Sequence, residues 1–374
     1  MKVKGEIGVV DYKDYRLDKG KELQLEGGGS LLEPTIRYET YGTLNDKKDN
    51  AILVIHALTA DHHAAGKKSD ASGQLGWWDS MIGPGRAFDT NRFFVICSNN
   101  LGGCSGTTGP NSINPQTGQP YGLNFPMITV ADMAKLQHAL MKHLGIEKFY
   151  CIAGGSMGGM LALYWSIHYA ENVERVVAIA TTAAQSAQSI AFSEVARQAI
   201  MNDPAWMDGE YFKKGPGPQS GLSIARMLSH ITYLSDQSMR DKFGRRLQDK
   251  EKFSFSFDVD FQVESYLRYQ GNRFVDRFDA NSYLYITKAL NYFDLKRGFE
   301  NLSNAFSLSK SRFLVICFSS DWLYPAYMSK ELVRSMSIAG QEVSYSEIET
   351  NLGHDAFLLE DEKQTRLIEA FLKK

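Results

Sequence analysis

The sequence predicts an α/β protein with a mostly parallel central sheet flanked by helices. Five short, nearly continuous apolar runs recur along the chain, at 51–56, 92–98, 149–153, 173–182 and 312–318. Runs of this length suit strands that are buried on both faces. From residue 92 to 182 they alternate with helical patterns, which is typical of parallel strands joined by helical crossovers.

The amino-terminal region predicts a different arrangement. Residues 1–48 alternate apolar and polar side chains, most clearly at 22–25 and 35–41, and Gly27–Gly29 lies between these two stretches. Alternation of this kind favours half-buried strands, so we expect an antiparallel lead-in with a glycine turn. The three glycines do not form a phosphate-binding loop, because no Lys-Ser or Lys-Thr pair follows them.

Charge and composition exclude several classes of protein. The formal net charge of −2 gives no basic field for nucleic acid or an anionic membrane. No apolar run approaches the roughly 20 residues that span a bilayer, and the first residues contain no signal-peptide core. The four cysteines, Cys97, Cys104, Cys151 and Cys317, are expected to be reduced thiols. A cytoplasmic protein is the resulting expectation.

The segment 149–163 predicts a strand, a tight turn and a helix, with Gly154-x-Ser156-x-Gly158 at the turn. This is the setting of a nucleophile elbow, which holds a serine in strained backbone geometry at the end of a strand. Small residues at 154, 155, 158 and 159 meet the need for space around it. The pattern alone is weak, and an ordinary strand-to-helix turn is the alternative.

Residues 183–300 differ from the rest of the chain. Strand patterns disappear there, and helical patterns follow one another at 191–201, 221–234, 261–269 and 282–292. We predict a core domain made of 1–182 and 301–374, and a helical lid domain of 183–300 inserted before the last strands. The Gly-, Thr- and Pro-rich loop at 100–115 is too long for a simple connection and is expected to shape a site.

Three residues fall in the order that an α/β-hydrolase fold requires. Ser156, Asp321 and His354 each follow a predicted strand, and Ser…Asp…His is the expected chain order. A serine hydroxyl needs an imidazole to take its proton, and that imidazole needs a carboxylate to orient it. Taken one at a time, Asp321 could instead cap the following helix, and His354 could be an ordinary histidine of a loop. Together they predict a catalytic triad.

The same plan predicts the oxyanion hole. Met157 follows the serine and supplies one backbone N–H, and the loop after strand 51–56 supplies the second, for which Leu58 is the candidate. His56, His62 and His63 lie near this loop, but partners at zinc-like spacing are missing, so we expect no metal. Triad and oxyanion hole indicate acyl transfer through an acyl-serine. They leave the acceptor open, and fold alone favours water.

Several longer blocks are more specific than the elbow. They are 56–59 (HALT), 101–110, 112–115 (SINP), 153–160, 197–200 (RQAI), 221–222 (GL), 225–227 (ARM), 232–235 (TYLS), 278–283 (FDANSY) and 353–357 (GHDAF). Their combination resembles the homoserine O-acetyltransferase family of methionine biosynthesis, over residues 20–374. The resemblance implies that Ser156 takes an acetyl group from acetyl-CoA and passes it to the γ-hydroxyl of L-homoserine.

The resemblance also implies the substrate residues. Arg226 would bind the homoserine carboxylate and Asp355 its ammonium group, with Tyr233 helping to orient the substrate. The forked guanidinium of Arg226 suits a carboxylate, and the negative charge of Asp355 suits an ammonium group. Without the resemblance, Arg226 reads as a surface ion pair and Asp355 as a solvated loop carboxylate. Acetyl-CoA is a co-substrate, no cofactor is implied, and the lid is expected to form a homodimer interface.

Other readings remain open at this stage. A succinyl donor, or L-serine as acceptor, would use the same triad, and such a small difference is worth only about 1–3 kcal/mol of discrimination. An ester or lactone hydrolase is a more remote alternative. A binding module of this fold predicts a broken triad, whereas all three residues are present.

Overall fold

The computed structural model describes residues 5–70, 72–359 and 362–373. Its strands are β1 (Val9–Val10), β2 (Lys13–Arg16), β3 (Glu22–Gln24), β4 (Ser30–Leu32), β5 (Thr35–Tyr41), β6 (Ala51–Ile55), β7 (Lys67–Lys68), β8 (Ile82–Gly83), β9 (Phe88–Asp89), β10 (Phe94–Ser98), β11 (Cys151–Gly155), β12 (Arg175–Ile179), β13 (Arg312–Phe318) and β14 (Val343–Ile348). The α-helices are α1 (Val130–His143), α2 (Met157–His168), α3 (Ala187–Met201), α4 (Gln219–Tyr233), α5 (Asp236–Lys242), α6 (Gln262–Val275), α7 (Ala280–Tyr292), α8 (Leu302–Phe306), α9 (Ala326–Ile338) and α10 (Glu362–Lys373).

The main sheet has eight strands in the order β14-β13-β12-β11-β6-β10-β5-β2. The six strands from β14 to β10 are parallel, and β5 and β2 continue the sheet antiparallel at one edge. The four central strands β6, β11, β12 and β13 are apolar and almost wholly buried, as strands covered by helices on both faces must be. The predicted α/β sheet and its antiparallel lead-in are confirmed.

The lead-in differs from the prediction in one detail. The glycine turn closes a separate short hairpin, in which β3 pairs with β4, and it does not lead straight into β5. The Leu25 N–H donates to the Gly29 carbonyl at 3.1 Å across this turn. With three residues, β4 is too short for an alternating pattern to reveal it.

Between β12 and β13 the described chain is helical, and its only strand-like pairings are isolated bridges. Helices α3, α4, α6 and α7 match the four helical patterns predicted there, although the patterns at 221–234 and 261–269 each extend one residue beyond the helix. The short helices α5 and α8 were not predicted. Residues 240–242 lie at the end of α5 with exposed side chains.

Hydrophobic packing continues from the sheet into this helical insertion. One apolar cluster contains Ile152 of β11 and Leu161 of α2 together with Phe274, Tyr283 and Ile286 of the insertion. A second cluster covers the opposite face of the sheet, where Trp78 and Phe357 are buried. The insertion therefore shares a core with the sheet. No helix in the described ranges has the length and apolar character needed to cross a bilayer.

Candidate active site

Ser156 lies at the sharp turn between β11 and α2. Its φ is 57° and its ψ is −122°, a left-handed conformation that is unfavourable for a residue with a side chain. Its own N–H donates to the Ile179 carbonyl of β12 at 2.9 Å, and its carbonyl accepts from the Thr181 hydroxyl at 2.8 Å. The neighbouring strand thus holds the strained turn in place.

The glycines around Ser156 are required for space. A Cβ on Gly158 would lie 2.1 Å from the Ile55 carbonyl oxygen, and one on Gly159 would lie 2.7 Å from Thr181 Cβ. A Cβ on Gly154 would lie 2.4 Å from the Gly158 carbonyl carbon. The turn therefore packs backbone against backbone, and larger side chains cannot fit without displacing α2 or β6.

Asp321 and His354 are joined by a buried hydrogen bond. His354 Nδ1 lies 2.8 Å from Asp321 Oδ2, and both residues are almost fully buried. Asp321 Oδ1 accepts from the backbone N–H groups of Leu323 and Tyr324 at 3.0 and 2.9 Å. The carboxylate is thus oriented from both oxygens, and it fixes the imidazole with Nε2 free for another partner.

The charge environment favours protonated His354. Burial lowers the pKa of His354, but the charge and hydrogen bond of Asp321, and the charge of Asp355, raise it by more. The pKa of His354 therefore lies above its ordinary value of 6.5. A base of this strength is suited to accepting a proton from a hydroxyl.

A cavity of about 330 Å³ opens beside the elbow. It brings together six of the residues singled out from the sequence, Ser156, His354, Leu58, Arg226, Tyr233 and Asp355. Asp321 lies behind His354 and does not reach the cavity wall. Residues widely separated in the chain thus converge at the carboxyl end of the parallel strands, where such sheets place their sites.

Two backbone N–H groups are free beside Ser156. Met157 is the first residue of α2, so its N–H has no acceptor within the helix. Leu58 borders both the main cavity and a smaller one at Ser156, and its N–H makes no hydrogen bond among the described residues. These two donors are suited to an anionic oxygen bound at Ser156.

Arg226 and Asp355 face the same cavity without pairing to each other or to another charged side chain of the described chain. Arg226 Nη1 donates to Thr59 Oγ1 at 3.0 Å, and its guanidinium stacks on the Phe274 ring. Burial raises the pKa of Asp355, while the charges of His354 and Arg226 lower it. One cation and one carboxylate are thus available for a zwitterionic ligand.

A second, smaller cavity of about 60 Å³ lies on another side of Ser156. Its lining includes the polar side chains of Gln185, Ser189, Ser229, Thr232 and Tyr324, and none of its described lining residues is Lys or Arg. The Tyr324 hydroxyl accepts from Gln185 Nε2 at 2.9 Å, and its ring packs edge-on against His354 at 5.2 Å.

Sequence reasoning missed Tyr324, Gln185 and Thr59 at this site. Tyr324 stands three residues after Asp321, a spacing that hinted at proximity. Gln185 lies in a loop without a motif. Thr59 ends the block 56–59 on which the resemblance partly rests, but only the fold shows that its side chain reaches Arg226. Cys104, one of the four cysteines expected to be reduced thiols, does not line the cavity, and burial raises the pKa of its thiol to about 11.

The three histidines near β6 have structural partners. His63 Nδ1 lies 2.9 Å from Glu39 Oε2, and the Asn100 N–H donates to His56 Nε2 at 3.0 Å. The third, His62, has its Nε2 3.7 Å from Glu39 Oε1. Burial lowers the pKa of His56 to about 4. Within 5–70, 72–359 and 362–373, no group of three or more His, Cys, Asp and Glu side chains is arranged to hold a metal ion.

Comparisons with known proteins agree with this geometry. A family model described as the alpha/beta hydrolase fold matches residues 50–361. A homoserine O-acetyltransferase from Methanococcus vannielii is 54% identical over 372 residues, covering 99% of this chain and 74% of the relative. One from Mesorhizobium japonicum is 53% identical over 358 residues, covering 96% and 92%.

Solved structures give the same result. The homoserine O-acetyltransferase from Bacillus anthracis superposes with a TM-score of 0.89 at 32% identity, covering 98% of both chains. Esterase E22 superposes with a TM-score of 0.88 at 30% identity, covering 97% of this chain and all of the esterase. The match to relatives at more than half identity over nearly all of this chain is the more specific of these findings, and the chain belongs to the homoserine O-acetyltransferase family of the α/β-hydrolase fold.

Proposed function

We propose that the chain transfers the acetyl group of acetyl-CoA to the γ-hydroxyl of L-homoserine, giving O-acetyl-L-homoserine and CoA. The observation that carries this proposal is the shared cavity, in which an elbow serine and an oriented imidazole lie beside an unpaired cation and an unpaired carboxylate. The printed names of the relatives support the same assignment.

In the first half-reaction, Ser156 Oγ attacks the thioester carbonyl while His354 Nε2 takes its proton. The carbonyl oxygen becomes an oxyanion, which accepts hydrogen bonds from the N–H groups of Leu58 and Met157. When the tetrahedral intermediate collapses, the C–S bond breaks and His354 returns the proton to the departing thiolate. Free CoA and an acetyl-serine remain.

In the second half-reaction, the homoserine γ-hydroxyl attacks the acetyl-serine and gives its proton to His354. Arg226 holds the substrate carboxylate through its fork of N–H donors, and Asp355 pairs with the ammonium group. Tyr233, whose ring lies 5.9 Å from the His354 ring, borders the same space. The second intermediate expels Ser156, which recovers its proton from His354.

The small cavity beside Ser156 favours acetyl over succinyl as the group transferred. A succinyl chain is longer than an acetyl group and ends in a carboxylate, whose burial without a paired cation costs more free energy than the burial of a methyl group. The cavity of about 60 Å³ has no Lys or Arg among its described lining residues. An acetyl methyl group makes no such demand.

Ester hydrolysis is the second candidate, because esterase E22 superposes closely on this chain. The two functions differ in whether water reaches the acyl-serine. We propose that residues 183–300 act as a lid domain that excludes water, over a core domain of 1–182 and 301–374. We also propose that the protein acts in the cytoplasm, where acetyl-CoA is supplied.

A homodimer through the lid completes the proposal. Helices α3, α4 and α6 expose large apolar side chains, among them Val195, Ile224 and Tyr269, whose exposed fractions are 57%, 51% and 55%. Helix α4 packs between the other two, so these helices form one layer. Exposed apolar side chains concentrated on one layer are typical of an interface.

The test of this function is release of CoA thiol from acetyl-CoA and from succinyl-CoA, each with L-homoserine, with L-serine and with no acceptor. We expect sustained release over many turnovers only with acetyl-CoA and homoserine together, and a single equivalent of thiol from acetyl-CoA alone. Preference for succinyl-CoA or serine would keep the triad chemistry and overturn the substrates. Equal release without an acceptor would favour the hydrolase.

A further inference from the structure

Three arginines converge on the main cavity. Arg226 comes from α4, while Arg273 and Arg277 come from the end of α6 and the turn after it, and all three border the same space. None has a carboxylate within 4.0 Å in the described ranges, although 19 other ion pairs of that length are present. Unpaired cations gathered at one cavity are suited to an anionic ligand.

Two of these guanidinium groups are held close together. Arg226 Nη1 donates to the Thr59 hydroxyl and Arg277 Nη1 to the Thr59 carbonyl, each at 3.0 Å. Both also stack on the Phe274 ring, at 4.8 and 5.2 Å from its centroid. Thr59 and Phe274 therefore fix two like charges beside each other, an arrangement that repels unless an anion lies between or beside them.

Burial and the charge of Arg226 lower the pKa of Arg277, in agreement with this repulsion. Arg226 lies deeper, next to Tyr233, whereas the side chains of Arg273 and Arg277 are exposed at the opening. Lys68, the last residue of the short strand β7, also lines the cavity, and its Nζ lies 3.7 Å from Asp61 Oδ2. The lining holds four cations (Lys68, Arg226, Arg273 and Arg277) and two carboxylates (Asp61 and Asp355), so positive charge is in excess.

We infer that Arg273 and Arg277, which we call the rim arginines, bind the phosphate groups of the thioester donor, with Lys68 as a third cation. This inference rests on the proposed function, since it gives a phosphate site to the acetyl-CoA that Ser156 is proposed to attack. Arginine forks match phosphate oxygens bidentately, and the exposed position leaves the rest of the nucleotide in solvent. Arg226 remains for the carboxylate of the acceptor.

The site also separates the two candidate functions. An esterase that acts on short neutral esters has no use for phosphate-binding cations at its opening. A transferase gains from them, because remote phosphate contacts bind the donor without touching the reacting carbonyl. The rim arginines are therefore expected to act on donor binding and not on the chemistry at Ser156.

The test compares acetyl-CoA with the acetyl thioester of N-acetylcysteamine, which keeps the thioester and lacks every phosphate. In Arg273→Ala/Arg277→Ala we expect the ratio of kcat/KM for acetyl-CoA to that for the truncated donor to fall by roughly tenfold or more. Arg334→Ala, which removes an exposed cation of α9, is the matched control and should leave the ratio unchanged. An unchanged ratio in the double variant would overturn the inference.

Direct binding distinguishes the source of the phosphate. Adenosine 3′,5′-bisphosphate should inhibit competitively against acetyl-CoA, and the double variant should weaken that inhibition about tenfold. Equal inhibition by inorganic phosphate at the same concentration would mean an unspecific anion site and would contradict the inference. Homoserine-dependent transfer from the truncated donor reports the proposed function independently, so failure of the phosphate site and failure of the function give different results.

Discussion

His354 sits between two acidic side chains that act on it in different ways. Asp321 accepts its Nδ1 hydrogen at 2.8 Å, while Asp355 follows it directly in the chain and faces the cavity. Burial alone would lower the pKa of His354, and the two carboxylates reverse that effect. The residue that must accept a proton is thus a stronger base than an ordinary buried histidine.

The pH dependence of the reaction follows from this balance. Only neutral His354 accepts a proton, so kcat/KM for acetyl-CoA should fall as pH drops through a pKa above 6.5. Asp321→Asn removes the main influence that raises the pKa of His354 and leaves burial, which lowers it. The acidic limb of the pH–rate profile should therefore move to lower pH, with kcat reduced about 10⁴-fold. Steady-state rates from pH 5 upward measure both effects. If the acidic limb stays at the same pH in Asp321→Asn, the group that titrates there is not His354.

Arg226 and Asp355 are predicted to recognise the acceptor. Arg226→Lys keeps the charge but loses the fork and should raise KM for homoserine roughly tenfold or more. Asp355→Asn should do the same by losing the ammonium partner. Both variants should affect the acetyl-CoA half-reaction less, measured as the first burst of thiol release. Equal losses in both half-reactions would mean that these residues support the triad and do not select the acceptor.

The chemistry at the residue scale was largely visible in the sequence, because serine, histidine and aspartate in α/β-hydrolase order constrain one another. The side chains that surround these three residues could not be predicted from the sequence. Tyr324 and Gln185 meet beside Ser156 although 139 residues separate them, and neither belongs to a motif. Thr59 reaches Arg226 across 167 residues. Contacts between residues so far apart in the chain depend on how the helical insertion packs on the core, and the apolar periodicity of the sequence does not predict that packing.

The elbow is the element on which the site depends, and its glycines pack against neighbouring backbone. Gly158→Ala would place a Cβ 2.1 Å from the Ile55 carbonyl oxygen, so either β6 or α2 must shift. We expect a loss of about 1–3 kcal/mol in the free energy of unfolding together with a large loss of activity. Gly215→Ala is the matched control, since nothing lies within 4 Å of its Cβ. Chemical denaturation measures the difference, and equal stability of the two variants would refute the packing argument.

Elements with long, regular patterns were predicted within a few residues, and short ones were not. Helix α1 lies between the strand patterns at 92–98 and 149–153, where the alternation predicts a helix, and it begins with a capping box at Thr129 and Asp132. Helices α5 and α8 have seven and five residues, too few for a recurring apolar face. Helix α8 is stabilised by burial of Leu302, Ala305 and Phe306, as expected where tertiary packing decides a short helix. Helix α5 has no buried residue and begins at the N-cap Ser235, whose side chain accepts from the Ser238 N–H.

At the scale of the whole molecule, the shared core of sheet and insertion has a consequence for assembly. A layer formed by α3, α4 and α6 that already packs on the sheet can expose its outer apolar side chains without unfolding. We predict a homodimer in solution, measured by light scattering after size exclusion. Val195→Asp combined with Ile224→Asp should yield a monomer with an unchanged far-ultraviolet spectrum, because both side chains are exposed. A wild-type monomer at micromolar concentration would contradict the prediction.

Family membership and fold leave one question that only chemistry answers, since esterase E22 shares the same architecture. An esterase and a transferase form the same acyl-serine and differ in what removes it. The helical insertion, the oppositely charged Arg226 and Asp355 of the main cavity, and the small cavity at Ser156 are the features of this molecule on which we base the proposal of an amino-acid acceptor. The fate of the acyl-serine is therefore the central claim.

Its most direct measurement is intact-protein mass spectrometry after mixing the protein with acetyl-CoA alone and then adding L-homoserine. The account predicts a gain of one acetyl group on the peptide that contains Ser156, persisting without acceptor and lost at once when homoserine is added, with O-acetylhomoserine formed in equal amount. Ser156→Ala should show no gain. An acetyl group that disappears in water as fast as with homoserine, or that forms on Ser156→Ala, would contradict the account.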